Sequence, residues 1–212
     1  MKRLMGWAMI ATTGLALLTG CAKEPLDNLT QEESRIYVTS RDSTVNFGSY
    51  KTYSISDSVY VIDNNSLTAR EATSWDQQML GAVRSALEAR GYVRVSPGQD
   101  PDLGINVSRL YNTSTNVVRF DDYWNGYGGF YDPYYWGYGG YGYYFPPTYG
   151  IYESTEAALS IDILDLENAA SNNAIRGIWN GLVRGSGIFT SNAVQSQVKA
   201  LFDQSPYIQT TQ

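Results

Sequence analysis

The chain has 212 residues, a formal charge of −6, no histidine and a single cysteine. That length supports one domain with its own core. The acidic balance argues against nucleic acid and against electrostatic adhesion to anionic lipid, both of which need clustered Lys and Arg. The missing histidine removes Ser-His-Asp and Cys-His catalysis as usually built.

Lys2 and Arg3 precede an apolar run from Trp7 to Leu18. A membrane span needs about 20 apolar residues, so this shorter run reads as a secretory signal over residues 1–20. It ends in Leu18-Thr19-Gly20-Cys21, which resembles a bacterial lipobox. Small Gly20 admits the peptidase, and Cys21 becomes the acylated N-terminus. Cys21 is the only cysteine and stands where the lipobox requires one. The membrane lipid partner is therefore expected to be reached through acylated, palmitate-type chains on Cys21. Each buried methylene contributes about 0.8 kcal/mol, and two chains already anchor stably. Cleavage takes the formal charge to −8 and leaves no thiol, so a hydrophobic core rather than a disulfide must hold the domain. Residues 21–35 are polar and read as a lipidated tether, roughly 20 Å long as a coil. Ala22, not Asp, follows the cysteine. That resembles lipoproteins sorted to the outer membrane, with the periplasmic or surface face left open.

The domain proper is expected over residues 36–207. Ile36 to Thr39 and Tyr50 to Ile55 are β-branched and aromatic, with Phe47-Gly48-Ser49 turning the chain between them. Val59 to Ile62 is a short extension before an Asn64-Asn65 turn. A helix is predicted over Thr68 to Arg90, because Trp75, Met79, Val83 and Leu87 recur every four residues. Thr68 with Glu71, or Ser74 with Gln77, has capping-box spacing, and Gly91 suits the C′ position. Tyr92 to Val95 follows as a strand. Leu103, Ile105 and Val107 alternate with Gly104, Asn106 and Ser108, and Ala157 to Ile163 alternates similarly. Ile175 to Val183 is a further strand after the loop Glu167 to Asn173. Val194, Val198, Leu201 and Phe202 mark a second helix, capped by Ser191 or Asn192 and stopped by Pro206. Consecutive strands joined by turns predict a two-layer α+β domain. Its sheet is mostly antiparallel, both helices cover one face, and the other face stays partly polar.

The insert at residues 121–151 is rich in glycine and aromatic rings. Its candidate binding residues are Trp124, Tyr127, Phe130, Tyr134, Tyr135, Trp136, Tyr138, Tyr141, Tyr143, Tyr144 and Phe145. It is expected to project from the hairpin formed by Leu103–Phe120 and Tyr152–Asp165. Tyr and Trp offer flat faces with a polar tip, as in adaptable binding loops. Three readings stay open: a decorated loop folded onto the sheet, a contact surface for an envelope protein, and a ring-stacking carbohydrate site. Burying four rings of about 100 Å² each would contribute on the order of 10 kcal/mol gross, and ordering a Gly-rich loop consumes much of it. Nucleic-acid stacking would use the same rings, but Trp124 to Pro147 has no Lys or Arg to track phosphates.

Five short motifs in order resemble the domain of unknown function 4136, found in bacterial lipoproteins. They are Asp42 with Phe47 and Tyr50-Lys51-Thr52-Tyr53; Leu87 with Gly91 and Tyr92; Pro101-Asp102-Leu103; Leu159 to Asp165; and Trp179-Asn180-Gly181. The family often has Trp shortly after the Tyr-Lys-Thr-Tyr core, where this chain has Ile55. The resemblance implies architecture and an envelope address. It carries over no catalytic residue.

Catalysis by paired carboxylates is formally open, but Asp162 and Asp165 are three apart on a strand and point to opposite faces. Asp121-Asp122 reads as a solvated strand exit. No nucleotide or calcium-loop motif is present. The expectation is a non-catalytic, lipid-anchored binding or structural module of the cell envelope, with no metal and no cofactor. The alternative is a carbohydrate-binding or carboxylate-dependent envelope hydrolase.

Overall fold

A computed structural model describes residues 29–63, 66–111, 133–144 and 157–211. Alternating β-branched and small polar residues build its centre. The elements run β1 (Ile36–Arg41), β2 (Thr52–Ile55), β3 (Val59–Asp63), β4 (Ser66–Glu71), α1 (Ser74–Glu88), β5 (Val93–Arg94), β6 (Leu103–Tyr111), β7 (Gly142–Tyr144), β8 (Ala158–Asp165), α2 (Ala169–Asn172), β9 (Ala174–Arg184) and α3 (Val194–Asp203). All these strands join one sheet, ordered β1-β9-β8-β6-β2-β5, with β3 continuing the β2 edge of β6 and β7 pairing with β9 beyond β1.

The sheet is mixed: its long ladders are antiparallel, as expected, but short parallel pairings that no turn signal announces join them. β1–β9, β9–β8, β8–β6 and β3–β4 are antiparallel. β2 runs parallel to both β5 and β6, β3 parallel to β6, and β7 parallel to β9. The Phe47–Ser49 turn therefore closes no hairpin: β1 pairs with β9, while β2 lies on the far side of β6. A parallel crossover normally needs a dozen or more residues. Residues 95–102 manage the step from β5 to β6 because β5 spans two residues, and little height must be recovered.

The predicted helix starts late. Leu67 and Ala69 belong to β4, which pairs with β3. The Asn64-Asn65 turn falls outside the described residues. The capping box is Thr73–Asp76: Thr73 N–H donates to the Asp76 carboxylate at 2.8 Å, and Asp76 N–H donates to Thr73 Oγ1 at 3.3 Å. Gly91 takes the left-handed conformation expected at C′, with φ +89°. At the second helix neither Ser191 nor Asn192 caps by its side chain; a short 3₁₀ turn, Ser191–Ala193, leads directly into α3.

The α1 stripe and the α3 stripe pack together on one sheet face, against Leu103, Ile105, Val107, Leu159, Ile161, Ile163 and Trp179. The opposite face is covered too. There Tyr60, Ile62, Leu164, Leu166, Ile175 and Leu182 form a second cluster with Trp136 of the aromatic insert. The polar residues expected to face water on that side are buried: Asn106, Ser108, Ser160 and Asp162 show no exposure.

Candidate functional site

Cys21, Trp124, Tyr127, Phe130 and Phe145 lie outside the described residues, as do Asp121 and Asp122. The described part of the insert opens with a 3₁₀ turn, Pro133–Trp136. Trp136 is buried, and its indole lies over Gly104 of β6. A methyl group at Gly104 would meet Trp136 Cε2 and Cζ2 at 3.3 Å. Tyr135 stands edge-on against Trp136, with centroids 4.7 Å apart and planes at 87°. Tyr138 O–H donates to the Leu166 carbonyl at 2.9 Å, and its ring packs 5.7 Å from Tyr141. Gly142–Tyr144 then adds β7 to the sheet, with the Arg176 guanidinium near the Tyr144 ring.

The candidate residues thus divide. Trp136, Tyr138 and Tyr143 are built into the second cluster or packed against it. Tyr134 and Tyr144 face outward, at 76% and 47% exposure. Tyr135 lies between, half-buried, and walls a cavity of about 520 Å³ whose other residues include Asp57, Arg94, Ser96 and Gln99. Burial, then the nearby Asp57 charge, pushes the Tyr135 phenol above its ordinary pKa. Sequence reasoning missed these neighbours because they come from three separate segments. The signal in the sequence was one cation, Arg94, inside a short strand.

The buried carboxylates hold the fold. Asp162 accepts from Asn180 Nδ2 at 2.6 Å, and the same amide reaches Ser160 Oγ at 2.8 Å. Asp165 lies away from that face, where it accepts from Asn168 N–H at 3.1 Å and from the Asn168 amide. Asp162 and Asp165 are not a catalytic pair, as their spacing predicts. Asp76 faces Arg109 Nε at 3.2 Å, and Arg109 also pairs with Glu71. Burial pushes the Arg109 pKa down, but those two carboxylates outweigh it and the net shift is upward. Asp42 accepts from Thr44 and from Arg176 at 2.9 Å. Burial alone would raise its pKa; the Thr44 hydrogen bonds and the Arg176 charge prevail and lower it.

The family model described as "Domain of unknown function (DUF4136)" matches residues 37–207. The chain belongs to the DUF4136 family. A crystal structure of a DUF4136 family protein from Bacteroides thetaiotaomicron is 26% identical, with a TM-score of 0.65 over 83% of this chain and 98% of that one. A PelC dodecamer from Paraburkholderia phytofirmans is 14% identical at a TM-score of 0.41, over 84% of this chain and 99% of that one. A PDZ domain protein from Parabacteroides distasonis is 13% identical at 0.41, over 82% of this chain and 36% of that one. The last two likenesses carry no functional implication. No functionally curated protein matches the chain.

In this DUF4136 protein the motif residues are joints of the fold. The Asp102 carboxylate accepts from Lys51 N–H at 2.6 Å and Thr52 N–H at 2.9 Å, and Thr52 Oγ1 accepts from Asp102 N–H, which fastens β2 to β6. Tyr92 O–H donates to the Phe47 carbonyl at 3.0 Å. Trp179 Nε1–H donates to Ser205 Oγ at 2.9 Å, and its ring lies against Gly181, two residues along the same strand face. Ile55, where the family often has Trp nearby, is buried in the helix-side core.

Proposed function

We propose that this DUF4136 protein is a lipid-anchored module of the cell envelope that binds or braces a partner and catalyses no reaction. The observation that carries the reading is Cys21: the only cysteine, directly after Leu18-Thr19-Gly20 and at the end of a charged-then-apolar leader. Acylation there supplies the anchor, and the outer membrane is its proposed destination. No helix among the described residues is long and apolar enough to cross a membrane. The buried carboxylates favour the non-catalytic reading, since Asp42, Asp76 and Asp162 each hold strands or a helix end in place. A glycoside hydrolase of the common two-carboxylate kind needs both groups facing one substrate, and Asp162 and Asp165 do not share a face.

The binding half of the reading rests on the outward rings of the insert, Tyr134 and Tyr144, presented by a segment tied down through Trp136 and Tyr138. Anchoring part of the loop to the sheet reduces the ordering entropy a partner must offset. Two variants test the halves separately. Cys21→Ala should move the protein from a salt-resistant membrane pellet to the soluble periplasmic fraction; pelleting unchanged by that substitution would sink the anchor. Replacing the outward rings together, Tyr134→Ala with Tyr144→Ala, should abolish in-cell crosslinks formed from neighbouring insert positions while the protein still accumulates. Crosslinked partners that persist in that double variant would reduce the outward rings to decoration.

A further inference from the structure

The cavity beside Tyr135 lies between the short edge strand β5, the segment after β2, and the 3₁₀ turn of the insert. Its volume, about 520 Å³, is within the range of small-ligand sites, roughly 300–1,000 Å³. One wall is a ring with a fixed pose: Tyr135 leans edge-on against Trp136, and Trp136 is pinned over Gly104. Ser54, Ile55 and Pro97 also line it. Arg94 lines the cavity from an exposed position and makes no hydrogen bond or ion pair among the described residues. Gln99 Oε1 accepts from Ser96 N–H at 3.0 Å, which fixes the amide and leaves its NH₂ group as donor. Asp57, exposed and beside the Tyr135 phenol, is an acceptor for hydroxyl groups.

We propose that this cavity binds a sugar residue bearing a carboxylate, a hexuronate within an acidic glycan. The inference rests on the binding reading given above and names its ligand class. Each wall matches one part of such a ligand. The Tyr135 face stacks on the apolar side of a pyranose ring. The Arg94 guanidinium takes the carboxylate with a two-pronged hydrogen-bond pair. Asp57 and the Gln99 amide accept from and donate to ring hydroxyls. A phosphate fits less well: it would bring up to two negative charges to one cation and meet Asp57. A neutral sugar would leave Arg94 unused.

The test is calorimetric titration of the detergent-solubilised full-length protein with trigalacturonate and with a neutral trisaccharide, cellotriose, following Trp emission in parallel. Trigalacturonate should bind, weaken as salt rises, and perturb the emission of Trp136 beneath Tyr135. Arg94→Gln should raise its Kd about tenfold or more, the loss expected for a charge-assisted hydrogen bond, with the melting temperature unchanged. Tyr135→Phe keeps the ring and should bind within about twofold of wild type; Tyr135→Ala should not. Absence of trigalacturonate binding, equal binding of cellotriose, or an unaffected Arg94→Gln protein would overturn the proposal. In-cell crosslinks from the insert that survive alongside a flat titration would reject the acidic sugar and leave the binding module standing. Loss of both would reject both.

Discussion

Gly181→Ala is the sharpest structural prediction, because it asks whether the Trp-x-Gly motif is steric. Residues 179 and 181 share one face of β9, and a Cβ at Gly181 would stand 2.5 Å from Trp179 Cη2, 3.1 Å from Cζ2 and 3.0 Å from Leu201 Cδ1. Ordinary carbon contacts lie near 3.5–4 Å, so the new methyl overlaps the indole by about 1 Å and Leu201 by about half that. Neither neighbour can withdraw. Trp179 is fully buried and held through Nε1 by Ser205, and Leu201 is fully buried in α3. Overpacking of a tight core costs about 1–3 kcal/mol, occasionally more, and both clashes here fall on fixed groups. The expected loss is about 3 kcal/mol, or roughly 6–12 °C in Tm for a domain of this size. Gly81→Ala is the control: nothing lies within 4 Å of its built Cβ on α1, so it should gain about 0.5–1 kcal/mol from helix propensity. Trp179→Phe removes the clashing atoms, so Gly181→Ala in that background should cost at least about 1.5 kcal/mol less than in the wild type. Urea unfolding of the wild type, the three single variants and the double variant decides. A Gly181→Ala protein within about 0.5 kcal/mol of wild type, or additive costs in the double variant, would refute the steric account.

Arg109→Met should cost about 3 kcal/mol in urea, since it leaves the fully buried Asp76 carboxylate without its cation; a loss below about 1 kcal/mol would show that Arg109 is dispensable to the α1 terminus. Asp42 has a lowered folded-state pKa, so its stabilisation is present above the ordinary aspartate value of 3.8 and is lost as pH falls through the folded value. Wild type should therefore exceed Asp42→Asn in stability at pH 6, and the gap should close toward pH 2; a gap independent of pH contradicts the pairing with Thr44 and Arg176. Thr73→Ala should cost about 1 kcal/mol by removing one half of the α1 capping box, measured by thermal melting.

What the sequence revealed follows from how local each feature is. The α1 stripe, the α3 stripe and the β8–β9 hairpin depend on residues near one another in the chain, and they stand as read. The start of α1 was misplaced because Thr68 and Glu71 mimic a capping box, while β3 recruits that stretch as a strand. The parallel pairings could not be read, since β2 chooses β5 and β6 by tertiary packing and the Asp102 fastening rather than by a turn. In the insert, composition marked the rings but not their fates. Trp136 is buried only because Gly104, some thirty residues earlier on β6, leaves room for its indole. Asn106, Ser160 and Asp162 were correctly placed on the second face, but their burial depends on what packs over it.

The most direct test of the proposed anchor is intact mass spectrometry of the protein extracted from the membranes of its native host. The mature chain should begin at Cys21 and carry the added mass of a diacylglyceryl thioether and one N-acyl chain. A species with an unmodified Cys21 thiol, or one retaining Met1 to Gly20, would contradict the anchor.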